Sequence, residues 1–179
     1  EGSQLAEPDP TPVPEIPTTA TNFSLSGWGL DRCILYQDNS TSPPTVSLVM
    51  FDTTGALRWR VDGLAGVTSG PSPRLTTNDL GFLIVWRESG AIVGQRVSPE
   101  GILIDPAPAV LSEEEGVEGA PDVATDSINR GMLIYSRFFG QLGYLQHRVP
   151  TRSIDFRFDA GLTNGSACGS GYTCASGLC

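Results

Sequence analysis

Nowhere in its 179 residues does the sequence hold an apolar run of the roughly 18 residues that a membrane-crossing helix needs. The N-terminus, EGSQLAEPDP, lacks the charged-then-apolar order of an export signal, so the chain as given carries neither a span nor a leader. Histidine occurs once, at His147, which leaves little material for general-base catalysis. Basic residues are also few: 11 against 20 acidic ones give a net charge of −9. Nucleic acid and anionic membranes are disfavoured as partners, because both need clustered Lys and Arg to displace counterions. A cationic ligand is compatible with that field.

Catalytic signatures are missing too. None of G-x-S-x-G, H-E-x-x-H, G-x-x-x-x-G-K or G-x-G-x-x-G occurs, so hydrolase, metalloprotease and nucleotide-binding readings have no anchor. His147, Ser153 and Asp155 make a triad only on paper. Glu113, Glu114, Glu115 and Glu118 read as a solvated loop. The oxygen-rich spacing of a calcium loop is absent, and Asn78 with Asp79, or Asp122 with Asp126, read first as turn caps. The sequence therefore points to no enzyme, no cofactor and no metal site.

What is present is a repeat. GFLIVWRE at 81–88 has counterparts in DRCILYQD at 31–38 and GMLIYSRF at 131–138, each 50 residues apart. Ile34, Ile84 and Ile134 align, as do Cys33, Leu83 and Leu133, and Gly81 and Arg87 align with Gly131 and Arg137. Proline-headed polar stretches, PRLTTND at 73–79 and PDVATDS at 121–127, precede the last two runs. A second strand follows each run: SLVMFDTTGAL at 47–57, IVGQRVSPEGI at 92–102 and YLQHRVPTRSI at 144–154. With 21 glycines, 14 prolines and no long Ala, Glu, Lys or Leu stretches, the composition favours short strands over helices. The fold class is all-β, built from three antiparallel sheets of about 50 residues each.

A continuous apolar run with β-branched and aromatic residues is expected where a strand is covered on both faces. Stacked sheets, as in propeller blades or an incomplete, open array of them, satisfy that demand. The expected repeat core comprises Ile34, Leu83, Ile84, Trp86, Leu133 and Ile134. The expected organisation is a disordered proline-rich and acidic linker over 1–20, a β-repeat domain over 21–159 with units near 21–70, 71–118 and 119–159, and a Gly/Ser/Cys-rich tail over 160–179.

The proline-led strand, the G-[FM]-L-I-[VY] run and the Q-x-R-V segment together resemble the repeats of bacterial extracellular β-propeller proteins, over about 130 residues. FDTTGALRW at 51–59 is similar to the turn of quinoprotein-type blades, where an Asp, a Thr-Gly and a Trp close the blade. The tail NGSACGSGYTCASGLC resembles the cysteine-rich repeats of bacterial surface and secreted proteins. Cys168, Cys174 and Cys179 are the disulfide candidates, since so little apolar material needs cross-links to acquire shape. Four cysteines allow three pairings; the reading is one bridge within the tail and a partner for the remaining tail cysteine beyond Cys179, in a longer chain. Cys33, within the apolar run, reads as a buried free thiol.

Aromatic residues fall mostly in or beside the runs and read as packing. Trp28, in the glycine-flanked SGWGL, is the candidate ligand-facing aromatic, with carbohydrate as its ligand. The functional expectation is a noncatalytic module, secreted or at the cell surface, for adhesion, display or protein assembly by a protein partner or self-association. Two alternatives stand beside it: a fragment of a propeller enzyme or carbohydrate- or cofactor-binding domain, and a structural subunit that assembles through strand edges.

Overall fold

The computed structural model describes residues 13–42, 44–64, 73–88, 90–112, 119–126, 130–141 and 144–155. Among these residues there are 13 strands and no helix. The first sheet is an antiparallel meander of β1 (Ala20–Trp28), β2 (Asp31–Asp38), β3 (Thr45–Phe51) and β4 (Leu57–Leu64), in that order. The second repeats it with β5 (Arg74–Asn78), β6 (Gly81–Glu88), β7 (Ala91–Val97) and β8 (Ala109–Ser112). In the third unit β9 (Asp122–Thr125) pairs with β10 (Arg130–Ile134). β11 (Arg137–Gln141) and β12 (Tyr144–Arg148) then form a separate hairpin, and β13 (Thr151–Asp155) returns to the free side of β10.

The run GFLIVWRE becomes β6, and its alternating residues serve two cores. Phe82, Ile84 and Trp86 pack with Cys33, Leu35, Leu48 and Met50 of the first sheet. Leu83 and Val85 pack with Val123, Leu133, Tyr135 and Ile154 of the third. Both faces of β6 are dry, so no polar alternation is needed. Each buried Leu, Ile or Phe contributes about 1.5–3 kcal/mol relative to exposure. The opening glycine has its own reason: Gly81 has φ +134°, and a Cβ there would meet the Val97 carbonyl oxygen at 2.3 Å.

Two turns of one design close the sheets at this end. Asp52 Oδ1 accepts hydrogen bonds from the backbone N–H of Thr54 (2.8 Å) and Ala56 (3.0 Å), while Asp52 N–H donates to Ala56 O at 2.9 Å. The Ser98 turn does the same with a hydroxyl, accepting from Glu100 N–H (3.2 Å) and Ile102 N–H (3.3 Å). The tryptophan after the first turn does not close its own sheet. Trp59 lies over Gly101 of the next unit, where an added Cβ would meet its ring at 2.7 Å, and its Nε1–H donates to Pro99 O at 2.8 Å. Gly101, with φ +81°, thus meets a backbone and a space requirement together.

Behind β7, Asp105 is 2% exposed and holds Arg96 by several contacts, among them Arg96 Nε–H to both carboxylate oxygens at 3.1 and 3.0 Å. Arg96 N–H also donates to Asp105 Oδ2 at 2.8 Å, which fixes the long connection to β8 against β7.

The structure corrects the sequence alignment in three places. First, β12, which carries the Gln146-His147-Arg148 of the supposed Q-x-R-V match, pairs with β11, whereas Gln95-Arg96-Val97 pairs with β6; β13 takes the place beside the central strand. Second, Leu133 faces the second sheet with Val123 opposite it, as Ile84 faces the first sheet with Leu75 opposite. Leu133 therefore matches Ile84, and Met132, 48% exposed, matches Leu83. A slip of one residue exchanges faces, so Ile134 is only partly buried while Leu83, Ile84, Trp86 and Leu133 are fully so. Third, the proline-rich stretch is not free throughout. Ile16 and Ala20 pack on Tyr36, Val49 and Phe51 of the first sheet, and Arg60 Nη1–H donates to Glu15 O at 2.9 Å. Residues 1–12 lie outside the described residues, as do the tail cysteines Cys168, Cys174 and Cys179 and the glutamates at 113–118.

Candidate functional site

β1, β5 and β9 are each the edge strand of their sheet, and an edge leaves backbone N–H and C=O groups without ladder partners. Hydroxyl side chains take up those groups across the gaps between sheets. Ser24 Oγ accepts from Leu75 N–H at 3.1 Å. Thr77 Oγ1 donates its one proton to Gly27 O at 2.8 Å, so in its 3.0 Å contact with Ser26 Oγ the serine is the donor. One sheet further on, Thr125 Oγ1 donates to Thr77 O at 2.5 Å and accepts from Thr76 Oγ1 at 2.9 Å. The three first strands are thereby drawn side by side by short polar side chains. Larger residues at these positions would hold the strands apart.

Where these strands end, their turns surround an open cleft of about 280 Å³. Gly27, Trp28 and Gly29 come from the first unit, Thr77, Asn78 and Asp79 from the second, and Thr125 and Asp126 from the third. Trp28 is opposite Asp31 in the β1–β2 ladder and Asn78 is opposite Gly81 in the β5–β6 ladder, so the two occupy matching places. The Trp28 ring is partly buried and rests on Phe82, centroid to centroid 5.7 Å. Bare glycines on either side leave room beside it. Asp126 Oδ1 accepts from Arg130 N–H at 2.9 Å, a turn cap that holds the third lip.

Asn78 is 7% exposed. Its Oδ1 accepts from Leu80 N–H at 2.9 Å, while its Nδ2 is buried and has no hydrogen-bond partner among the described residues. The lining thus holds an unpartnered amide nitrogen, two carboxylates, an indole and two hydroxyls whose protons are already given to backbone carbonyls, and neither imidazole nor thiol. Among the described residues no group of three or more His, Cys, Asp or Glu is placed to hold a metal.

Of the residues singled out in the sequence, Trp28, Asn78, Asp79 and Asp126 meet at this cleft. Asp122 stands apart from it, 4.0 Å from Arg74. Ser153 is on β13 and His147 on β12, strands of different sheets. Cys33 is fully buried, and that burial pushes its thiol pKa far above the ordinary range. Sequence reading missed Ser24, Ser26, Thr76, Thr77 and Thr125. Their signal was the recurrence of small hydroxyl residues in the strand before each apolar run.

No family model, no curated protein and no solved structure matches this chain.

Proposed function

We propose that the chain is a noncatalytic, propeller-like β-repeat module whose work is protein assembly, through association of its copies sheet face to sheet face. The observation that carries this reading is the outward face of the first sheet. Leu25, opposite Ile34, is 71% exposed, and Phe23 beside it is 52% exposed. The matching pair in the second sheet, Leu75 opposite Ile84, is buried against the first sheet. Ile16 and Ala20 cover the Tyr36, Val49 and Phe51 row along β2 and β3, and the β1 side of that face, with Phe23 and Leu25, is left exposed. At the other end of the stack, Met132 on the third sheet is also exposed. The occupant we assign to the first face is the third-sheet face of another copy, a head-to-tail contact that closes a ring or extends a filament.

Faces are favoured over strand edges for a physical reason. Hydroxyls already serve the edge backbone of β1 and β5, and β4 carries Arg58, Arg60 and Asp62, charges that deter strand addition. Placement outside the cell or on its surface belongs to the same proposal, supported by the proline-rich stretch, the cysteine spacing and the resemblance to bacterial extracellular propeller repeats. Sedimentation across a concentration series tests it. The average mass is expected to rise with concentration, and Leu25→Asp, at an already exposed position, is expected to fold and to stay monomeric. A wild-type chain that is monomeric throughout would sink the proposal.

A further inference from the structure

We infer that the cleft at the ends of β1, β5 and β9 binds a neutral, hydroxyl-rich ligand, a single pyranose unit of a glycan. This does not rest on the assembly reading, since Leu25 and the face around it take no part in the cleft.

The orphan amide is the starting point. Asn78 cannot turn its amide over to satisfy Nδ2 elsewhere, because that would point the NH₂ at the Leu80 N–H that Oδ1 now receives. A buried donor left unmade costs about 1–3 kcal/mol, and the great majority of buried polar groups in proteins have a partner. The site is therefore short of one acceptor. Asp79 on the same lip and Asp126 on the neighbouring one bring carboxylate oxygens, which are acceptors.

That combination selects among ligand chemistries. An anion would satisfy Asn78 but meet two carboxylates in a chain already carrying −9. A cation would suit the carboxylates but leave the amide donor facing a positive charge. A hydroxyl both accepts and donates, so adjacent hydroxyls on one ring can take the Asn78 N–H and give protons to the carboxylates. Trp28 adds a flat apolar surface flanked by two glycines, on which the C–H face of a sugar ring can lie. At about 280 Å³ the cleft is of the size for one such ring, below the roughly 300–1,000 Å³ of drug-sized sites.

The experiment uses the full chain and four probes: the methyl α-glycosides of glucose, galactose and mannose, and N-acetylglucosamine. Ligand-observed saturation-transfer NMR detects contact, and tryptophan fluorescence gives the dissociation constant. Binding of at least one sugar is expected, weakened tenfold or more by Trp28→Ala and by Asn78→Asp. The second variant keeps an oxygen to cap Leu80 and exchanges the buried donor for a carboxylate oxygen, so its far-ultraviolet circular dichroism is recorded beside the wild type to show that it has folded. Glu88→Gln, at the far end of β6, should bind as wild type. No transfer to any of the four sugars overturns the inference. So does sugar binding that survives both variants, or a fluorescence response to calcium chloride alone that Asn78→Asp strengthens.

Discussion

Asp105 shows how much a single side chain can hold. Its carboxylate, together with its own backbone carbonyl, which accepts from Gln95 Nε2–H at 3.2 Å, ties down a connection that pairs with β7 through one isolated bridge, Leu103 to Val97. Removing one partner of a buried ion pair leaves the other uncompensated, at a cost of about 3–5 kcal/mol. Asp105→Ala should lower the free energy of urea unfolding by that much, and an unchanged midpoint would show the connection to be held by other means. Nothing in the sequence near ILIDPAP announced this role, because the arginine it serves is nine residues back and the two meet only after β7 has formed. Trp28 was legible for a different reason: its glycine neighbours mark it locally, before any fold is known. Asn78, Asp79 and Asp126 were also visible one by one as turn residues. Their convergence with Trp28 depends on three turns separated by about 50 residues, which no local pattern encodes.

For the strands, what could be read and what could not divide along the same line. The double burial of β6 follows from an apolar run without alternation, and the structure places its two faces in two cores. In the third unit the central strand is shorter, and two segments downstream, β12 and β13, compete to pair with it. β13 takes that place, and its Ile154 is buried in the same cluster as Val85 and Leu133. The first strands were read only as polar. In fact their hydroxyls are structural, replacing a missing ladder. Thr77→Val keeps the shape of the side chain and removes the donor to Gly27 O, leaving that edge carbonyl dependent on water. A loss of about 1–2 kcal/mol is expected, as for a net hydrogen bond plus part of a desolvated partner. Faster amide exchange at Leu75, whose bond to Ser24 lies in the same seam, would confirm that the two strands have loosened; protection as in wild type would argue against it.

Across the whole molecule, the middle sheet contributes residues to both large cores. All three tryptophans, Trp28, Trp59 and Trp86, belong to or pack on the core between the first and second sheets. Leu83 faces the other way, into the core shared with the third sheet. Because β6 serves both, Leu83→Asp should lower the urea midpoint seen by tryptophan fluorescence, although no tryptophan lies at the mutated interface. Fluorescence and far-ultraviolet circular dichroism should shift together. A fluorescence curve that stays in place while the dichroism shifts would mean that the two interfaces melt independently.

Cys33 lies at the first of those interfaces, fully buried and with its thiol held in the protonated form. A protonated, enclosed sulfur is chemically silent until its surroundings part, since it is the thiolate that reacts. The residue is thus a latch indicator: once its alkylation no longer quickens with added reagent, the pace at which it yields is the pace at which its surroundings open.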